Sequence, residues 1–112
     1  MKRMIRAAKH IASNNNAVAI AEEAFGKYFR ENPYVSIYKE SKGYELKYIM
    51  SDEKYSKQDA DRLLKRLKNI ADELDIPVIR SSVKNVSKLT NIGFVLVYVV
   101  SIVVPEANDE SE

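Results

Sequence analysis

Residues 94–104, with the sequence FVLVYVVSIVV, are the stretch that decides the fold of this 112-residue chain. Valine and isoleucine dominate it, and apolar side chains occupy both of its alternating faces. A strand with one solvent-facing side alternates apolar and polar residues, whereas a strand covered on both sides is apolar throughout. The stretch therefore predicts a strand that lies in the middle of a sheet or inside an oligomer.

Two shorter segments upstream have the alternation of half-buried strands. Residues 34–39 (YVSIYK) and 44–50 (YELKYIM) are rich in β-forming side chains and alternate between polar and apolar positions. Residues 40–43 join them, and Gly43 is able to take the positive φ that tight turns require. The pattern predicts a β-hairpin.

A helix is predicted directly after that hairpin. Ser56 and Asp59 have the spacing of a capping box, in which the serine and the acid three residues later bond each other's backbone N–H groups. An apolar stripe follows at helical spacing, formed by Ala60, Leu63, Leu64, Leu67, Ile70, Ala71 and Leu74. Pro77 is expected to end the helix. Residues 78–86 then favour a strand, and residues 87–93 are predicted to form a loop.

The first third of the chain predicts one helix or two. Residues 1–12 carry an apolar stripe (Met4, Ile5, Ala8, Ile11, Ala12), and the polar run at residues 13–16 interrupts it. Asn15 or Asn16 is suited to cap a second helix that reaches about Glu31, with an apolar face of Val18, Ala21, Phe25, Tyr28 and Phe29. The alternative is one continuous helix, which the pair Asn32-Pro33 would stop in either case.

These elements predict an α+β fold in the order α(α)-β-β-α-β-β. The natural arrangement is a mostly antiparallel four-stranded sheet with the helices packed on one face. A single domain over residues 1–104 is expected, followed by an acidic, disordered tail over residues 105–112. The other face of such a sheet is left uncovered, and a second copy of the chain is the simplest way to cover it. We therefore expect a homo-oligomer.

The composition limits which cellular compartments and which classes of partner are expected. The chain has no cysteine, which fits a reducing compartment such as the cytoplasm, and no apolar stretch is long enough to span a bilayer. Its net charge is +2, but the tail from residue 105 onward carries four acids and no base, so the remaining body has 18 basic against 12 acidic residues, or +6. A basic body attracts nucleic acid or an acidic protein surface.

Catalytic and cofactor sites find little support in the sequence. His10 is the only histidine, so a zinc site and a Ser-His-Asp triad are both disfavoured. The three glycines are isolated, and none belongs to a phosphate-binding loop. We expect no metal, no cofactor and no enzymatic activity.

One remote alternative is a metal-dependent nuclease. Glu45-Leu46-Lys47 is an E-x-K triplet on a predicted strand, which such enzymes use to present a carboxylate to a metal ion and a lysine to the attacking water. They also require an acidic ligand from a neighbouring strand, which residues 34–39 do not provide. Alternating charges on a solvated strand explain the triplet equally well.

Nucleic-acid binding is a second hypothesis, carried by basic helix faces and by tyrosines on the sheet. Phosphate contacts need cations on rigid elements, whereas unpaired bases stack on aromatic rings. The candidate residues are Lys2, Arg3, Arg6 and Lys9 on the first helix, Arg62, Lys65, Arg66 and Lys68 on the later helix, and Tyr38 and Lys47 on the hairpin.

The favoured hypothesis is a non-enzymatic module that contacts proteins, either a second copy of itself or a dedicated partner in the manner of an inhibitor or adaptor. It explains why residues 94–104 are apolar on both sides, which DNA or RNA binding does not. One side of that strand supplies the candidate interface, namely Phe94, Leu96, Tyr98, Val100 and Ile102.

Overall fold

The computed structural model describes residues 15–106. The predicted helix of residues 1–12 and residues 107–112 of the predicted tail lie outside the described residues. The elements are α1 (Asn16–Phe25), a 3-10 helix (Phe29–Glu31), β1 (Val35–Glu40), β2 (Gly43–Ser51), α2 (Lys57–Glu73), β3 (Arg80–Thr90) and β4 (Gly93–Val104). The predicted α+β class and the order of its elements are confirmed.

The four strands form one antiparallel sheet in the order β1-β2-β4-β3. β4 pairs with β2 on one side and with β3 on the other, for example through Leu46 opposite Ile102 and Val83 opposite Val100. The prediction that the apolar stretch forms a central strand is therefore confirmed.

The core lies between the two helices and one face of this sheet. Leu46, Val100 and Ile102 are fully buried on that face and belong to one cluster with Ile20 of α1 and Leu67 of α2. Burial of one such side chain contributes roughly 1.5–3 kcal/mol to folding. All the strand residues of the cluster share one phase of the strand alternation, so both helices pack on the same face, as predicted. Neither α1 nor α2 packs on the opposite side, which is called the open face below although Val97, Ser101 and Val103 are buried on it.

A side-chain hydrogen bond sets the start of α1, and a glycine sets its end. Asn15 is extended and its side chain accepts a hydrogen bond from the N–H of Val18 at 3.0 Å, so α1 begins at Asn16. The expected extension to Glu31 is wrong. Gly26 has a φ of 93° and ends α1 at Phe25, which leaves Tyr28 exposed rather than on an apolar face.

The capping box of α2 is confirmed, but its end differs from the prediction. The N–H of Asp59 donates to Ser56 Oγ at 3.2 Å, and the N–H of Ser56 donates to Asp59 Oδ2 at 2.9 Å. At the other end Asp75 has a φ of 59°, and the N–H of Ile76 donates back to the carbonyl of Ala71 at 2.8 Å. This is a Schellman motif, which ends the helix at Glu73, before Pro77 is reached.

The predicted loop at residues 87–93 is also wrong. β3 continues to Thr90, and Asn91 and Ile92 form the turn into β4. The serine, lysine and asparagine residues of this segment have the composition of a loop, but β3 is an edge strand and exposes most of its second half. Its pairing with β4 is what makes it a strand.

Gly43 serves a different purpose from the one predicted. Its φ is not in the positive range, and it pairs with Glu40 as the first residue of β2. A Cβ atom at Gly43 would collide with the carbonyl oxygen of Val104 and would lie 2.8 Å from the Cα of Pro105. Glycine is required there because the chain that follows β4 passes so close to its backbone.

Candidate functional site

The β3–β4 hairpin extends beyond the rest of the sheet. The pairing between β2 and β4 ends at Ser51 opposite Val97, whereas β3 and β4 stay paired as far as Thr90 opposite Gly93. Residues 87–90 and 93–96 therefore form a two-stranded projection whose strand pairing is with each other alone. A projection of this kind is accessible to another molecule from several sides.

Four large apolar side chains occupy this projection, and together they are called the apolar tip. Their exposed fractions are 68% for Leu89, 89% for Ile92, 74% for Phe94 and 46% for Leu96. Leu89 and Phe94 face each other across the hairpin, and Leu96 follows Phe94 on the same side of β4. The three strand residues thus share one face, and Ile92 lies in the turn beside them.

The turn is held by a side chain as well as by its backbone. Thr90 Oγ1 donates to the carbonyl of Gly93 at 2.8 Å and accepts from the N–H of Ile92 at 3.3 Å. Gly93 has a φ of 116°, which a residue with a side chain rarely adopts. These contacts fix the backbone that carries Ile92.

The five residues predicted as an interface on β4 divide into two groups. Phe94 and Leu96 belong to the apolar tip, whereas Tyr98 packs partly buried against the core. Val100 and Ile102 have no exposed surface because the helices cover them, so they are core residues and not part of any surface of this chain. The sequence reasoning missed Leu89 and Ile92, whose apolar character beside Gly93 in a polar segment was the available signal.

The open face carries the E-x-K triplet in a network of polar contacts. Ser101 Oγ donates to Glu45 Oε2 at 2.6 Å, and Lys47 Nζ lies 3.9 Å from Glu45 Oε1. Lys47 Nζ also lies 5.2 Å from the ring centre of Tyr38. Within residues 15–106, no group of three or more His, Cys, Asp or Glu side chains is placed to hold a metal ion. The contacts of Glu45 are those of a residue that ties β2 to β4.

The basic residues of α2 are partly engaged by their own surroundings. Arg62 Nη1 lies 2.9 Å from Asp59 Oδ1, and Arg66 Nη2 donates to the carbonyl of Glu23 at 3.5 Å. Arg62, Lys65 and Arg66 share one flank of the helix by their spacing, whereas Lys68 lies farther around it. Lys2, Arg3, Arg6 and Lys9 lie outside the described residues. Among the described residues, the predicted basic surface therefore consists of three neighbouring side chains on α2, with Lys68 apart from them.

The described helices include none that is long and apolar enough to cross a membrane.

Comparison of the chain with protein-family models, with curated proteins and with solved structures finds no match. Its function therefore has to be inferred from the chemistry of its own surfaces.

Proposed function

We propose that this chain is a non-enzymatic binding module that contacts proteins through the apolar tip, the partner being a second copy of the chain or a dedicated protein. The observation that carries the proposal is the exposure of Leu89, Ile92 and Phe94 on one projecting hairpin. Exposed apolar side chains that lie together on one projecting element commonly mark a binding site, whereas scattered ones do not.

The apolar tip has the chemistry of the centre of a protein interface. Interface cores are enriched in large apolar and aromatic side chains and depleted in charge. Lys88 is the only charged residue between Val86 and Val97. Burial of the tip would recover roughly 25 cal/mol for each Å² of apolar surface removed from water.

Side-chain contacts at the tip are favoured over pairing along the edge of β3. An exposed edge strand can pair with another chain, and charged residues along it oppose such pairing. Arg80, Lys84 and Lys88 recur at every fourth residue of β3, which places all three on the open face. They repel the same residues of a second copy aligned along that edge.

The test is sedimentation velocity of the full chain over a concentration series, with two variants. Leu89→Thr with Phe94→Thr removes the apolar contact and retains strand-forming residues. Tyr38→Thr is the matched control, because it removes an exposed aromatic ring from another strand. For self-association, the mass of the wild type and of the control should rise with concentration, while the double variant stays monomeric.

For a dedicated partner, the wild type, the control and the double variant are each cross-linked in a cell extract, and the proteins recovered with them are compared. The same protein should be recovered with the wild type and with Tyr38→Thr, and lost with the double variant. A wild type that stays monomeric and recovers the same proteins as the double variant would contradict the proposal. We also propose that the module works in the cytoplasm, a reducing compartment, in line with a sequence that has no cysteine.

A further inference from the structure

A concave surface lies at the β1 edge of the sheet, where β2 continues beyond the first residue of β1. It is a pocket of about 130 Å³ lined by Tyr34, Tyr48, Ile49, Ser51, Lys54 and Tyr55, and it is called the tyrosine pocket below. An enclosed cavity of roughly 150 Å³ holds a benzene molecule, so a surface pocket slightly smaller than this can receive part of a flat aromatic group.

Two of the tyrosines are held in place by neighbouring rings and by the backbone. The ring of Tyr48 stacks on Phe25 at 4.9 Å between centroids, and Tyr34 meets Tyr48 edge to face at 6.4 Å. The N–H of Tyr34 donates to Asn32 Oδ1 at 2.9 Å, and its carbonyl accepts from Ile49 at 3.0 Å. These walls are therefore formed before any ligand arrives.

The remaining wall comes from the turn between β2 and α2, which Ser51 organises. The carbonyl of Ser51 accepts hydrogen bonds from the N–H groups of Lys54 at 3.2 Å and Tyr55 at 3.0 Å, and its Oγ accepts from Glu53 at 3.2 Å. One serine thus fixes the backbone that places Lys54 and Tyr55 at the pocket. Preorganised walls reduce the entropy lost when a ligand is bound.

The lining of the tyrosine pocket carries one positively charged side chain and no negatively charged one. Burial raises the pKa of the Tyr48 phenol, with a smaller contribution from the neighbouring Tyr55, so this group stays neutral through the ordinary pH range. Lys54 is the one charged residue among those that line the pocket. Asp52 and Glu53 precede it in the turn but do not belong to the lining.

We infer that the tyrosine pocket binds an unpaired nucleotide, with its base against the exposed rings of Tyr34 and Tyr55 and its phosphate paired with Lys54. Bases stack on aromatic side chains irrespective of sequence, and a lysine beside the ring supplies the phosphate contact. This site is separate from the apolar tip and does not depend on the proposed protein contact. It also differs from the surface that the sequence predicts for nucleic acid. It includes neither Tyr38 with Lys47 nor the basic residues of α2.

The test is fluorescence anisotropy of a short fluorescein-labelled oligodeoxyadenylate titrated with the full chain at low salt. Saturable binding that is tighter than binding to the corresponding duplex supports the inference, because paired bases cannot enter the pocket. Unlabelled AMP distinguishes the source. Displacement by AMP means that a free nucleotide suffices, whereas binding without displacement assigns the site to single strands. No saturable binding of either ligand, or equal binding of strand and duplex, overturns the inference.

Variants locate the binding in the pocket. Tyr55→Ala is expected to weaken binding roughly tenfold through loss of stacking, while Tyr55→Phe keeps the ring and the affinity. Binding by Lys54→Ala should depend less on salt. The negative slope of log affinity against log salt should be smaller in magnitude by about 0.7, the value for one phosphate contact on a single strand.

The matched control is Lys27→Ala with Tyr28→Ala, because Lys27 Nζ lies 5.2 Å from the ring of the exposed Tyr28, outside the pocket. The control should bind as the wild type does. An equal loss in the control, or wild-type affinity for Tyr55→Ala, overturns the inference. Circular dichroism of each variant confirms that it is folded.

Discussion

Arg80 Nη2 donates to both carboxylate oxygens of Glu40, at 2.9 and 3.0 Å, so a single ion pair joins the two edge strands of the sheet across the open face. In the sheet Gly43 adjoins Glu40 and Val103 adjoins Arg80. Gly43 has no side chain to obstruct the pair. Val103 is only 1% exposed although neither α1 nor α2 packs on its side of the sheet.

Removal of this ion pair is expected to have a small but measurable cost. Arg80→Ala should lower the free energy of unfolding by about 0.5–1 kcal/mol, since the pair is partly exposed and solvent screens it. The measurement is urea denaturation of Arg80→Ala, Glu40→Gln and the double variant. A coupling energy near zero in this double-mutant cycle would show that the two side chains do not stabilise the sheet together.

Gly43→Ala should be far more costly. The added methyl group meets the backbone of Val104, which cannot move aside as a flexible side chain can, so we expect a loss of about 2–3 kcal/mol. Ser41→Ala in the neighbouring turn is the control and should be nearly neutral. Equal midpoints of denaturation for the two variants would contradict the close approach.

Asp75→Gly should stabilise the protein. Asp75 has a φ of 59° in the Schellman motif that ends α2, and glycine adopts that conformation without the strain that a side chain causes. The expected gain in the free energy of unfolding is about 0.5–1 kcal/mol, and Asp75→Ala should destabilise. Thermal denaturation of the two variants measures both, and a lower midpoint for Asp75→Gly would disprove the assignment.

The cap of α2 should make stability depend on pH in the acid range. The hydrogen bond from the backbone N–H of Ser56 lowers the pKa of Asp59, with further contributions from the Ser56 hydroxyl and from Arg62. A lowered pKa in the folded state means that the stabilisation is complete above the ordinary carboxyl pKa and is lost as the pH falls through the lowered value. The stability difference between the wild type and Asp59→Asn should therefore shrink in acid, and a difference independent of pH would contradict the cap.

Truncation should cost far more stability at Val100 than at Phe94, although both lie on the same side of β4. Val100→Ala leaves a gap in the core and should cost about 1–3 kcal/mol, whereas Phe94→Thr should change the free energy of unfolding by less than about 0.5 kcal/mol. Chemical denaturation compares them directly. A large loss for Phe94→Thr in the monomer would place that ring in the core.

The central position of β4 could be predicted because Val97, Val99 and Val103 make its second side apolar as well. The division of its first side could not, since alternation places Phe94, Leu96, Val100 and Ile102 on one side without showing where the helices stop. Twelve residues of β4 extend roughly 40 Å, whereas the seventeen of α2 extend roughly 25 Å. Only the three-dimensional arrangement shows which end of β4 the helices leave uncovered.

The tyrosine pocket was beyond sequence reasoning for a related reason. Tyr34, Tyr48 and Tyr55 come from the start of one strand, the middle of another and a turn, and hydrogen bonds to Ser51 and Asn32 bring them together. Tyr38 and Lys47, by contrast, could be identified from the sequence as neighbours on the open face. They lie on the two paired strands of one hairpin, and alternation shows that they share a face. Nothing in the local pattern marks Tyr55 as a neighbour of Tyr34.

The continuity of β4 from exposed Phe94 to buried Val100 has a consequence for hydrogen exchange. The end of a two-stranded ribbon frays, so the amides between Ser87 and Leu96 should exchange with solvent much faster than those near Val100, and without unfolding of the domain. A molecule that binds Phe94 would suppress the opening of this end of the hairpin. Slower exchange of those amides would then report that a partner has bound the apolar tip, even where the exchange of the core amides is unchanged.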